Sequence, residues 1–284
     1  MSGVVILTAD KINVKRPFIK KLFNTITFYN YMFENGKSIK ILRLPVEKDY
    51  ITRSSGSKLI KRKLAFLINK VNTYLHKNKI QYVLGEEMFC KGTDVLKRNV
   101  YAAVADIIIK KYATDNNLAL SNCCIAIYSP KYVKHIYHIM RSIASEARYI
   151  HLYTDDAAKY EKDLDNIYDE FGLAVSVSAS DNKIEEKLII AGGKLSADVV
   201  ARKNAVIFDL NKNAHLSKTA SVIDDVVFDV DTQLSEFFRL CSCACNASNV
   251  GFLLDSFYGQ TGNYTDLKNA LTHLNIRFSD YCIR

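Results

Sequence analysis

Three short segments hold the residue types that could touch an anion or a cofactor. Ser129-Pro130-Lys131 joins an apolar run to a helical pattern, so Ser129 and Lys131 could meet a phosphate where a helix leaves its first N–H groups unpaired. Gly192-Gly193-Lys194 directly follows the apolar run LIIA. Two glycines let backbone come close to a ligand, and Lys194 could neutralise a phosphate or act as an acid. Arg53-Ser54-Ser55-Gly56-Ser57-Lys58 offers small residues and a lysine at a helix start. Ser55, Gly56, Ser57 and Lys58 are therefore an expected anion site, although the spacing of an NTP-binding P-loop is absent. The competing readings are a tight turn with a solvated lysine at 192–194 and a serine-capped helix at 54–58.

Other chemistry-bearing residues point less far. Glu86 and Glu87 close a strand but, being adjacent, face different ways, so they are not a paired carboxylate dyad. Cys241, Cys243 and Cys245 lack the paired C-x₂₋₄-C spacing of zinc sites and read as small apolar residues, so no metal is expected. His135, His138, His151, His215 and His273 show no triad-like signature in sequence, and no G-x-S-x-G, H-E-x-x-H or C-x-x-C motif occurs.

The elements that must position these residues alternate between strand and helix. In the first half, strands are expected at 4–8, 38–44 and 81–84, with helices at 17–33, 55–77 and 94–115 and a turn at Asn35-Gly36. In the second half, strands are expected at 124–128, 149–153, 173–178, 188–191, 205–209 and 226–230. Helices are expected at 131–147 and 157–171, the latter stopped by Gly172, and a helical region at about 233–273. The fold class is α/β with two domains, a basic one at 1–118 and a second at 119–284 with C-terminal helices, the last of which could fold back onto the first domain.

The strand–helix–strand at 124–156 resembles the opening unit of a Rossmann dinucleotide-binding domain, and LIIAGGK and AVIFDLN look like the fourth and fifth strands of shikimate-dehydrogenase-like enzymes. The resemblance covers 122–215 and implies a parallel sheet. It also implies that Asp155 or Asp156 takes the place of the acid that bonds a ribose hydroxyl. The departure lies at 128–133, Tyr-Ser-Pro-Lys-Tyr-Val, where a G-x-G-x-x-G turn should stand and no glycine occurs. NAD or NADP is thus open as a cofactor but not favoured.

Composition bounds the rest. The 284 residues are 49% hydrophobic and 24% charged, with 3 prolines and 11 glycines, a packed globular balance without long linkers. No apolar run approaches the roughly 18–20 residues of a membrane span. Seven cysteines, an odd count with no signal peptide in view, suit a reducing cytoplasmic setting. The net charge of +9 is split, with 22 Lys/Arg against 9 Asp/Glu over 1–120 and 17 against 21 beyond. Lys58, Lys61, Arg62, Lys63 and Lys70 on one helix could face nucleic acid, although no aromatic residues interleave with them for stacking. The expected function is a non-catalytic or regulatory Rossmann-scaffold protein recognising a small molecule or a protein partner, with a homodimer among the compatible states. The alternatives are an NAD(P)-dependent oxidoreductase with an atypical phosphate turn and a nucleic-acid-associated protein. Whether the chain is an enzyme stays open at this stage.

Overall fold

A computed structural model describes residues 3–7, 26–45, 58–85, 89, 92–210, 220–241, 243–259 and 264–283. The chain divides into two compact units. The first comprises Met1–Leu96, Val230–Cys245 and Asn249–Gln260, and the second Lys97–Asp229, Asn246–Ser248 and Thr261–Arg284.

The first unit holds a four-stranded sheet. Its strands are β1 (Gly3–Leu7), β2 (Thr27–Met32), β3 (Ser38–Arg43) and β4 (Tyr82–Gly85), in the order β2-β3-β1-β4. The reading of 17–33 as a helix is corrected at its described end, because β2 pairs antiparallel with β3 across the Asn35-Gly36 turn. Phe33 N–H donates to the Lys37 carbonyl at 2.9 Å, and Gly36 takes φ 75°, which only glycine adopts without strain. Thr27-Phe-Tyr-Asn-Tyr-Met alternates between half-buried and exposed, and a hairpin partner outweighs a weak helical spacing.

Helix α1 (Lys58–Lys77) lays Leu67, Val71 and Leu75 on Val4, Ile6, Leu42 and Val83, while Arg62 and Lys70 stay exposed. Its i, i+4, i+8 apolar row is what directs that face inward. Two later helices complete the same unit. Phe237 and Phe257 pack on Phe33, with ring centroids 5.3 and 4.8 Å away.

The second unit is built on a seven-stranded sheet. Helix α2 (Thr93–Asp115) is buried along most of its length, with Val100, Val104 and Ile108 enclosed. One turn apart on it, Lys97 and Tyr101 are both buried and donate to successive carbonyls, of Asp224 and Ile223. The strands that follow are β5 (Cys124–Tyr128), β6 (Tyr149–Tyr153), β7 (Val175–Ser178), β8 (Leu188–Ala191), β9 (Val206–Asp209), β10 (Ser221–Asp229) and β11 (Arg277–Ile283). The sheet order is β7-β6-β5-β8-β9-β10-β11. Numbered from β5, this is 3-2-1-4-5-6, the doubly wound Rossmann order, extended by an antiparallel edge strand β11 that lies beyond the helical region expected at 233–273.

Helix α3 (Lys134–Ile143) links β5 to β6 and α4 (Ala157–Phe171) links β6 to β7. The spacing of Ile136, Ile139, Met140 and Ile143 gives α3 one apolar face, all of it buried. Gly172 ends α4 in the left-handed conformation at φ 66°, its N–H on the Tyr168 carbonyl. The C-terminal helices are α5 (Thr232–Cys241), α6 (Ala247–Tyr258) and α7 (Tyr264–His273). Both α5 and most of α6 belong to the first unit.

Candidate functional site

The strand order reverses between β5 and β8, and open α/β sheets bind their ligands in the crevice beyond the carboxyl ends at that point. The structure brings Ser129, Lys131, Asp155, Asp156, Gly192 and Gly193 together there. Gly192 N–H donates to the Tyr128 carbonyl at 2.8 Å, and Asp155 N–H to that of Pro130 at 3.1 Å. Lys131 and Lys194 are exposed beside them.

The turn itself spends its donors on the chain's own side chains. Tyr132 N–H donates to Asp156 Oδ2 at 2.9 Å and Val133 N–H to Tyr160 Oη at 3.1 Å. Tyr160 in turn donates to Ser129 Oγ at 3.2 Å, and Ser129 Oγ to the Lys131 carbonyl at 2.8 Å. A carboxylate therefore sits where a helix-terminal turn would otherwise offer N–H groups to a phosphate. The Tyr132 N–H, followed by the Lys159 ammonium at 2.9 Å, holds the Asp156 carboxyl below its usual range. These bonds keep Val133 extended at φ −140° and ψ 120°. As a result α3 begins at Lys134 and not at the expected residue 131.

The two acids expected at a ribose have separate tasks. Asp156 closes the turn, and Asp155 accepts from Ser180 Oγ at 2.7 Å and Ser180 N–H at 3.1 Å. The paired glycines meet the turn at close range. A Cβ on Gly193 would lie 2.6 Å from Pro130 Cδ, and one on Gly192 2.6 Å from Ile136 Cδ1. At Gly193 the neighbour is a rigid proline ring, so a side chain there would push the β8 loop off the 128–133 turn, whereas at Gly192 the Ile136 methyl would have to move aside.

Of the expected anion site, Ser55, Gly56 and Ser57 lie outside the described residues, as do Glu86 and Glu87. Lys58 is the first residue of α1. Cys241 ends α5 in a buried position, and the Cys243 thiol donates to its carbonyl.

A constellation that sequence spacing did not reveal lies on the sheet face formed by alternate residues of β5, β6 and β7. His151 Nδ1 is 2.8 Å from Glu186 Oε1, and His151 Nε2 is 2.8 Å from Ser178 Oγ. Glu186, in the helix-free crossover between β7 and β8, also accepts from Tyr153 Oη at 3.0 Å and from Glu185 N–H at 3.1 Å. Tyr153 stacks on the His151 ring, with centroids 4.2 Å apart. Burial, then the Glu186 carboxylate, pushes the Tyr153 phenol above its ordinary value and the Cys124 thiol up to about 11. Both groups therefore keep their protons and act as donors around the carboxylate. The signal available in sequence was the alternation that puts His151 and Tyr153 on one face of a strand. Ser178 and Glu186 follow 27 and 35 residues later.

No known family profile and no curated protein matches the chain. Among solved structures, the iminosuccinate reductase of Paracoccus denitrificans, in complex with NAD+, is similar at 15% identity over 45% of this chain and 41% of its own, with a TM-score of 0.30. L-tryptophan dehydrogenase from Nostoc punctiforme is similar at 9% identity over 96% and 80%, with a TM-score of 0.31. The chain thus spans about two fifths of the length of the reductase. At these scores neither likeness bears on the reaction, and the Rossmann-like fold stands on strand order. Among the described residues, no helix is long and apolar enough to cross a membrane.

Proposed function

We propose that the seven-stranded unit is a recognition or regulatory scaffold for a small molecule or a protein partner, working in the cytoplasm, with no nicotinamide redox chemistry at its crevice. The observation that carries this reading is the Asp156 carboxylate on the Tyr132 N–H, backed by Tyr160 on Val133. A dinucleotide pyrophosphate would have to displace a like-charged group already bonded to the turn, and Pro130 leaves little room against Gly193.

Thermal unfolding with roughly millimolar NAD, NADP, nucleotides and sugar phosphates tests it. A ligand present at about 100 times its Kd stabilises a fold by about 2.7 kcal/mol, which is several degrees for a domain of this size. No shift is expected from NAD or NADP. A saturable rise of several degrees with either would overturn the reading in favour of an oxidoreductase with an atypical turn.

A further inference from the structure

We propose that Ser178, His151 and Glu186 form a nucleophilic acyl-transfer centre, with Ser178 as the nucleophile and an activated acyl ester as the class of substrate. This goes beyond the crevice reading and does not depend on it.

The geometry is that of a hydroxyl–imidazole–carboxylate relay. Glu186 carries only acceptors, so the nitrogen facing it, Nδ1, holds the imidazole proton, and Nε2 is left to accept from the Ser178 hydroxyl. The tautomer is over-determined, because Tyr153 and the Glu185 N–H fix the same carboxylate and Tyr153 also stacks on the ring. Access follows the same line. The Glu186 side chain is 11% exposed and that of His151 24%. The orienting acid is thus enclosed, while the base opens toward solvent. Ser178 is half-buried at the end of β7, beside exposed Val177. Among the described residues β7 is the edge strand of the sheet, and an oxyanion on the Ser178 adduct would draw its donors from the backbone along that edge.

The step balances with these groups and water. Ser178 Oγ forms a bond to the ester carbonyl carbon as His151 Nε2 takes the hydroxyl proton, and the carbonyl electron pair moves onto oxygen. The pair returns as the bond to the leaving alcohol breaks, and the alcohol departs with the proton from His151. Water, deprotonated by the same nitrogen, then attacks the Ser178 ester and releases the acid, restoring the hydroxyl. Glu186 touches no substrate in this scheme and is a positioning residue.

The test is covalent labelling of the full chain with an alkyl fluorophosphonate, which loses fluoride to the attacking hydroxyl, with the adduct mapped by peptide mass spectrometry. The expected result is a single adduct on Ser178, absent in Ser178→Ala. Glu186→Gln should slow labelling at least about tenfold while keeping side-chain shape, since it removes the carboxylate charge that supports the imidazolium and lets an amide N–H face Nδ1. His151→Gln should likewise slow labelling at least about tenfold, since it removes the base that takes the Ser178 proton. Mapping on the wild type and the Glu186→Gln rate decide the matter even where Ser178→Ala folds poorly. An unlabelled Ser178 in folded wild type, or an unchanged rate in Glu186→Gln, would show a hydrogen-bond network that only ties the crossover to the sheet.

Discussion

Two histidines of the second unit sit in opposite circumstances. His135 lies in the first turn of α3 behind the closed crevice turn, and its Nε2 is buried without a hydrogen-bond partner among the described residues. Burial, then Arg98 and His138, pushes it down to about 4. His151, on the β5–β7 face, has both nitrogens engaged, one by a carboxylate and one by a hydroxyl. The first is a neutral ring held for its shape. The second is held for its direction. Burial alone therefore says little about function here, and the informative quantity is what each nitrogen faces.

The largest effect is expected at His135. A histidine whose folded value is depressed resists the proton that the unfolded chain accepts near its ordinary 6.5. Its contribution is then fully present above that value and lost as pH falls toward about 4, at most on the order of 3 kcal/mol. Thermal unfolding at pH 4 to 7 should show this slope in the wild type and a flatter one in His135→Leu. Equal slopes in both proteins would remove the contrast.

A smaller effect is expected from His151→Leu, which leaves Glu186 and Ser178 short of a partner. The loss should be about 1–3 kcal/mol, read as a Tm decrease of roughly 2–10 °C near neutral pH. A neutral outcome would mean that the ring adds nothing to the stability of its own network.

Smallest is Arg141→Ala. Its guanidinium bridges α3 to Glu170 on α4 at 2.7 and 2.8 Å, and that bond holds the Glu170 carboxyl below its usual range. Both side chains are largely exposed, so Tm should stay within about 1–2 °C of the wild type. A larger drop would make this surface pair part of what positions the turn.

Much of the second sheet was legible because each unit of the pattern is local. The ends of β5, β6, β8 and α4 fall where apolar runs and Gly172 put them. The absence of glycine at 128–133 was visible, but what fills the turn was not readable, because Asp156 and Tyr160 reach it from 24 and 27 residues away. The same holds for His151, whose partners come from β7 and from a crossover without regular structure. In the first half, β2 was hidden by apolar residues whose spacing also suits a helix. The Asn35-Gly36 turn was visible, and reading it as one end of a hairpin would have recovered the strand. Strand β11 alternates only weakly and owes its place to pairing with β10.

The division of the chain also bears on the order in which it can be completed during synthesis. Met1–Leu96 leaves the ribosome first, yet its unit includes Val230–Cys245 and Asn249–Gln260. All of Lys97–Asp229 must emerge before Phe237 and Phe257 can reach Phe33. At about 5–20 residues per second this is a wait of roughly 7–27 s. During that interval the hairpin face around Phe33 lacks the cover of Phe237 and Phe257, so the earlier-made unit needs protection from aggregation while translation continues.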